Sequence, residues 1–251
     1  MSYLDPAKFR IFAHRGLSRA LDGSSLDENT IPAFQAALTA GADYLELDIQ
    51  CSSDGVAVVF HDETLDRITN VTGPISAISW SDLQGLRLNN GGRICSLRQV
   101  LAHFPTAKLN IDVKAESAIG DLASAISEAN ATGRVLLTSF SEKRRLAAVA
   151  AVPGVATSAS ASVLIRARIA AYLGLGLRTA LKNVNALQIP VSYGPMRLDS
   201  PRFIRSVSKH GVELHYWTIN DPKQAKGLRA RGAHGVVTDR TDLMIAEQVS
   251  E

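Results

Sequence analysis

Cysteine is nearly absent. The two that occur, Cys51 and Cys95, cannot build a disulfide framework and lack the spacing of a metal site, so two unpaired, buried thiols are expected. No dense run of Lys or Arg is present, and the net charge is only +3 over 251 residues. Neither points to nucleic acid. No uninterrupted apolar run is long enough to span a bilayer: Leu146–Ala156 is broken by Pro153, and Leu164–Leu177 carries Arg166 and Arg168. The N-terminal MSYLDPAKFRIFAHRG has no basic segment leading into an apolar core, so no secretory signal and a cytoplasmic location are the expectation. No G-x-G-x-x-G loop opens a helix. Low-complexity tracts are missing too. What is there, 46% hydrophobic and 20% charged residues, is the balance of a globular domain large enough to need no staples.

Short apolar, β-branched runs alternate with helical stretches along the chain. The strands expected are Phe9–His14, Tyr44–Gln50, Lys108–Lys114, Arg134–Phe140, Gly154–Ser158, Ala186–Pro190, Val212–Thr218 and Gly235–Asp239. Gly154–Ser158 carries the weakest pattern. Helices are expected over Ile31–Ala40, Ile119–Ala131, Glu142–Ala151, Ser162–Leu173, Pro201–His210, Pro222–Arg231 and Leu243–Val249, with Asn29 or Thr30 capping the first. Eight strands alternating with helices predict an α/β fold, a single (β/α)8 barrel over residues 1–251, with an open doubly wound sheet as the alternative. One connection is abnormally long. The 57 residues from Cys51 to Ala107 separate the second and third strands and hold enough apolar side chains to be ordered. A small cap over the barrel mouth is the expectation.

Within Tyr44–Gln50, alternation puts Leu45, Leu47 and Ile49 on one face and Glu46 and Asp48 on the other. On an antiparallel sheet this would be a solvated face. In a parallel barrel it points into the lumen, where two desolvated carboxylates need a cation or basic partners. Asn110, Asp112 and Lys114 share a face of the next strand in the same way. Three oxygen donors without clustered Cys or His suit one divalent cation, Mg²⁺ or Ca²⁺, with Mn²⁺ also compatible. Lys114 could serve Asp112 alone as a salt bridge, or hold a phosphate as well. His14 and Arg15 end the first strand, and His61-Asp62 follows the apolar run Val56–Phe60. Each pair is commonplace alone; together they place titratable and phosphate-binding groups at one barrel end.

The chain resembles the glycerophosphodiester phosphodiesterase family. The likeness rests on AHRG (13–16), ENT (28–30), ELDIQ (46–50), HDETLDRIT (61–69), LNIDVK (109–114), YWTIND (216–221) and GVVTD (235–239), in family order over nearly the whole length. It implies a barrel that hydrolyses small glycerophosphodiesters such as glycerophosphocholine to an alcohol and glycerol 3-phosphate. It further implies His14 and His61 as the catalytic pair, Arg15 and Lys114 as phosphate contacts, and Glu46, Asp48 and Asp112 as metal ligands. Glu28 and Asn29 would support the site, and Trp217 would wall the substrate pocket, unless it is a core residue. Two positions depart from the pattern: Asp112 stands where the family most often has glutamate, and Asp27 where it has proline. Other readings are a lysophospholipase D-type phosphodiesterase, a metal-dependent barrel lyase or isomerase, and a non-catalytic phosphate binder. Metal, head group and oligomeric state stay open.

Overall fold

Alternation of strand and helix begins with β1 (Arg10–Ala13), α1 (Ile31–Thr39) and β2 (Tyr44–Cys51). A long excursion follows, holding β3 (Ala57–Val59), α2 (Trp80–Leu83) and β4 (Cys95–Ser96), and leads into α3 (Leu97–His103). Then come β5 (Lys108–Val113), α4 (Ile119–Glu128), β6 (Val135–Thr138), α5 (Glu142–Ala151), β7 (Ala156–Thr157), α6 (Ala161–Leu173) and α7 (Leu177–Ala180). The chain ends with β8 (Ala186–Ile189), the hairpin β9 (Ser192–Tyr193) and β10 (Met196–Arg197), α8 (Pro201–Ser208), β11 (Glu213–Tyr216), α9 (Pro222–Ala230), β12 (Gly235–Thr238) and α10 (Thr241–Val249). The computed structural model describes residues 3–4, 8–19, 23–194 and 196–249.

Eight strands pair in parallel in the order β7-β6-β5-β2-β1-β12-β11-β8. The two ends of that ribbon meet at a single parallel bridge, Ser158 to Ala186, so the barrel is nearly closed. Side-chain bonds reinforce this seam: Ser158 Oγ donates to Ala186 O at 3.2 Å and accepts from Gln188 N at 3.2 Å. The expected fifth strand, Gly154–Ser158, shrinks to the two residues of β7, which explains its faint pattern.

Helix starts follow capping chemistry. Thr30, not Asn29, caps α1, and Ser96, Ser141, Ser160, Ser200 and Asp221 cap α3, α5, α6, α8 and α9, each side chain accepting from an amide of the first turn. These helices wrap the barrel. Leu45, Leu47 and Ile49 of β2 and Leu109, Ile111 and Val113 of β5 pack outward against Phe34, Leu97, Val100 and Leu122. Inward-facing Phe12, Tyr44, Leu136 and Val237 fill the barrel's lower half, with the Phe12 and Tyr44 rings stacked at 4.4 Å. The lumen therefore has a packed floor.

The excursion has a core of its own: Val58, Phe60, Leu65, Ile75, Leu83, Leu88 and Ile94. Its strands β3 and β4 extend β2 in antiparallel fashion. Ser79 caps its short helix α2, the side chain accepting from the Asp82 amide. Residues 97–103, counted with the excursion by sequence, form the barrel helix α3, which packs on the main core.

Candidate active site

The loop after β1 fixes the first imidazole. Arg15 and Gly16 both adopt left-handed backbone angles, φ 56° and 85°. A Cβ at Gly16 would stand 2.7 Å from the carbonyl carbon of Ala33, so only glycine lets this loop lie on α1. The turn aims the Arg15 amide at Glu46 Oε2, at 3.0 Å. His14 Nδ1 lies 2.6 Å from Asp239 Oδ1, just past β12. Asn220 holds that carboxylate, donating from Nδ2 to Asp239 Oδ2 at 2.7 Å and accepting from the Asp239 amide at 2.8 Å.

The second imidazole is built alike from the excursion. His61 Nδ1 lies 2.6 Å from Asp62 Oδ1, and Arg67 Nε donates to Asp62 Oδ2 at 2.5 Å. Arg67 also grips both oxygens of Glu28, which accepts from Arg15 Nη1 at 3.0 Å. A carboxylate on Nδ1 places the ring proton there and leaves the lone pair of each neutral ring on Nε2. Asp239 sits below the usual carboxylate range: burial works against its charge, but the bonds to His14 and Asn220, with the charges of His14 and Arg15, together outweigh it. For His14, burial pulls downward while Asp239 and the charge of Glu46 pull upward, and the net direction is up.

Glu46, Asp48 and Asp112 are 7%, 2% and 6% exposed, and in register Asp48 stands beside Asp112 on the neighbouring strand. Burial and then the charge of Asp48 push Glu46 up to about 7. Asp112 is raised by burial, only partly countered by Lys114. Lys114 Nζ bridges the pair, 3.1 Å from Asp48 Oδ1 and 2.7 Å from Asp112 Oδ2. Arg15 Nε lies 3.2 Å from Asp48 Oδ2 in an ion pair too bent for a hydrogen bond, and Asn29 Nδ2 donates to that oxygen at 3.0 Å. Asp112 Oδ1 is buried with no partner.

Among the described residues no three acids, histidines or cysteines are drawn together tightly enough to form a ready-made metal cluster. Lys114 occupies the space between two of the expected ligands. The donor set still fits a hard cation: carboxylate oxygens only, one of them unpartnered, and two carboxyls, Glu46 and Asp112, whose charge burial disfavours until a positive charge arrives.

One cavity of about 430 Å³ is lined by His14, Arg15, Glu46, Asp48, His61, Asp112, Lys114 and Trp217. Glu28 and Asn29 stand behind it, bonded to Arg15 and Asp48. Trp217 is half-buried and meets Phe140 edge-on, with centroids 6.0 Å apart. It is a cavity wall as well as a packing residue. Sequence reasoning gave no role to Asp62, Arg67, Asn220 or Asp239. The His61-Asp62 adjacency was a usable signal for the first.

A profile of the glycerophosphoryl diester phosphodiesterase family matches residues 14–243.

The chain belongs to that family.

It is 33% identical over 235 residues to the probable glycerophosphodiester phosphodiesterase 2 of Mycobacterium tuberculosis, covering 92% of this chain and 88% of that one. A glycerophosphodiester phosphodiesterase structure from Agrobacterium tumefaciens superposes with a TM-score of 0.78 at 26% identity, over 95% of this chain and 99% of that one. An Oleispira antarctica phosphodiesterase, solved with sn-glycerol-3-phosphate, superposes with a TM-score of 0.75 at 21% identity, over 96% and 97%. The protein is thus a phosphodiesterase on a barrel of eight parallel strands, and the lyase, isomerase and non-catalytic readings fall away. Its cavity has two unlike halves. β1, β2 and β5 with the excursion supply the acids, both histidines, Arg15 and Lys114, whereas the segments after β6, β7, β8 and β11 supply Phe140, Leu164, Ile165, Tyr193, Met196 and Trp217, with Arg168 the charged residue among them. Among the described residues no helix is long and apolar enough to cross a membrane.

Proposed function

We propose that this phosphodiesterase hydrolyses glycerophosphodiesters such as glycerophosphocholine to an alcohol and glycerol 3-phosphate, with His14 and His61 as its acid–base pair. The observation that carries this is the matched construction of the two imidazoles. Each has Nδ1 held by an aspartate, and both line the cavity that holds the acids and Lys114. A neutral imidazole so held takes a proton at Nε2 from the attacking hydroxyl; a protonated one gives its Nε2 proton to the leaving alkoxide. Each such transfer contributes roughly 10²–10⁴-fold.

Arg15 and Lys114 offset the charge of the phosphodiester, and Glu28 and Asn29 keep Arg15 and Asp48 in place. Glu46, Asp48 and Asp112 would hold one divalent cation, Mg²⁺, Ca²⁺ or Mn²⁺. When bound, it supplies Lewis-acid polarisation of a phosphoryl oxygen. Lys114, which neutralises Asp48 and Asp112 here, would then be available to the phosphate. The whole chain acts as one barrel domain, with the excursion as the cap that delivers His61. Trp217 walls the leaving-group side.

Release of glycerol phosphate from glycerophosphocholine is the direct test. His14→Ala and His61→Ala should each abolish release while retaining the wild-type circular dichroism spectrum. Chelation should suppress turnover and a divalent ion restore it. Undiminished turnover in either histidine variant would remove the acid–base assignment. The apolar half of the cavity favours a second substrate class, lysophospholipids cleaved in lysophospholipase D fashion. Assaying lysophosphatidylcholine beside glycerophosphocholine separates the two.

A further inference from the structure

Helix α6 is apolar on two sides. Val163 and Ala167 are buried against the barrel. Ile165, Ile169, Tyr172 and Leu173 are exposed by 53%, 54%, 78% and 64%. At about 100° per residue these four fall within an arc of about 100°, opposite Val163 and Ala167, with Arg168 at one edge and Arg166 at the other. The apolar face runs past the helix end. Gly174 and Gly176, with φ 73° and 75°, bracket Leu175, which is 76% exposed. Arg178 and Lys182 come next in the chain.

Two observations say what covers this face. The first is charge. Between Glu142 and Asp199 the sequence has no acidic residue at all and eight Lys and Arg. Lys143, Arg145 and Arg197 are paired with Glu116, Glu142 and Asp199, at the margins or outside the stretch. On α6, Arg166 lies near enough to Glu142 to act on its charge and Arg168 stacks over the Phe203 ring at 5.7 Å, while Arg178 and Lys182 follow on and after α7 with no carboxylate between them in sequence. A second copy of the chain docked here by a twofold axis would set these cations against themselves. A surface bearing phosphates would complement them, and long basic side chains flanking an apolar stripe suit that depth. The second is continuity with the site. Leu164, Ile165 and Arg168 line the active-site cavity, and Phe140 and Tyr193 on the same rim are 60% and 69% exposed.

We propose that the α6–α7 face docks on an anionic phospholipid surface, so that the apolar half of the cavity opens at the lipid interface and an amphiphilic phosphodiester enters from it. The docking is carried by α6 itself; that it serves substrate entry rests on the phosphodiesterase reading above. A helix of this kind lies in the interface plane, and reversible binding needs both its apolar area and its charge.

The experiment is vesicle flotation of the full chain with phosphatidylcholine alone and with phosphatidylglycerol admixed. The protein should float with the anionic vesicles, less with the neutral ones, and be released by salt. Leu175→Asp, placed between two glycines where folding is not at stake, should lower partitioning at least about tenfold, and Ile169→Asp with Leu173→Asp further. Arg166→Gln with Arg178→Gln should remove the preference for anionic lipid. Turnover of water-soluble glycerophosphocholine should be unchanged in Leu175→Asp. The proposal is overturned if the wild type does not float, if Leu175→Asp and the double aspartate variant float as well as it does, or if these variants instead dissolve a lipid-independent dimer seen by light scattering. Vesicle binding with no glycerol phosphate released from any soluble diester would leave the docking standing and sink the catalytic reading alone.

Discussion

His14 and Asp239 are 225 positions apart in the chain, yet the Nδ1–Oδ1 distance is 2.6 Å. β1 and β12 are neighbours in the barrel, so the residues following each strand emerge side by side. The carboxylate fixes which ring nitrogen carries the proton and raises the imidazole's affinity for a second one. Asp239→Asn should lower kcat/KM roughly 10²–10⁴-fold. Because the His14 pKa in the folded protein is raised, whichever limb of the pH–rate profile His14 governs should move to lower pH in the variant. The sign for stability follows. The raised pKa stabilises the fold below the histidine's unfolded value, and that contribution disappears as pH rises through the folded value. Asp239→Asn should flatten melting temperature against pH in that window. An unmoved pH profile with unchanged kcat/KM would show that the pair has no part in the reaction.

Glu46 gives the opposite chemistry the same sign. Its pKa rises from 4.5 unfolded to about 7 folded, so the native state binds the extra proton. Stability from this group is greatest below pH 4.5 and declines as pH climbs toward 7, by roughly 1–3 kcal/mol without a metal. Adding Mg²⁺ or Ca²⁺ should raise the melting temperature strongly at pH 8 and little at pH 5, where the carboxyl is protonated. Glu46→Gln should abolish both the decline and much of the metal response. Equal metal stabilisation at the two pH values would argue against Glu46 as a ligand.

Lys114 is the residue a cation must share space with, since it contacts both Asp48 and Asp112. Lys114→Met keeps the bulk and removes the charge. Without metal, two buried carboxylates then face each other, and stability should fall by roughly 1–3 kcal/mol. A divalent ion should restore more stability to the variant than to the wild type. Turnover should still fall roughly 10²–10³-fold at saturating metal if Lys114 meets the phosphate as proposed, because nothing replaces that charge. Calorimetry with and without Mg²⁺, beside steady-state kinetics, separates the two losses. A variant with normal kcat/KM would confine Lys114 to a structural ion pair.

Much of the barrel could be read from the string because two signals coincided. In β2 and β5 the period of two that sorts Leu from Glu and Asp also sorts outward packing from inward chemistry. β7 was nearly invisible, since two residues and one bridge suffice to close the seam. Short-range chemistry was legible too: the His61-Asp62 pair is printed in the sequence. Asp239 was not, because its partner lies at the far end of the chain, and no spacing reveals which strands a barrel makes adjacent. Nor was the outward face of α6, where apolar residues on both sides leave no helical period to detect.

Asp27 departs from the proline its family most often carries, and the excursion explains what the carboxylate does here. Its Oδ1 accepts from Asn90 N and Asn90 Nδ2, both at 3.1 Å, and its Oδ2 accepts from Gly92 N at 2.9 Å. A Cβ on Gly92 would come within 2.7 Å of that same oxygen, so the turn at 89–92 is moulded on the carboxylate. Asp27 thereby ties the excursion that bears His61 to the segment holding Glu28 and Asn29. Proline would lack every one of these acceptors. Asp27→Ala removes the buried acceptor of three part-buried hydrogen bonds and should cost roughly 1–3 kcal/mol, whereas Asp27→Asn, which keeps one oxygen, should cost less. Gly92→Ala should destabilise through the same contact from the other side. Urea melts of the three variants give the ordering. If Asp27→Ala melts like the wild type, the turn is held by its own backbone and the carboxylate is a bystander.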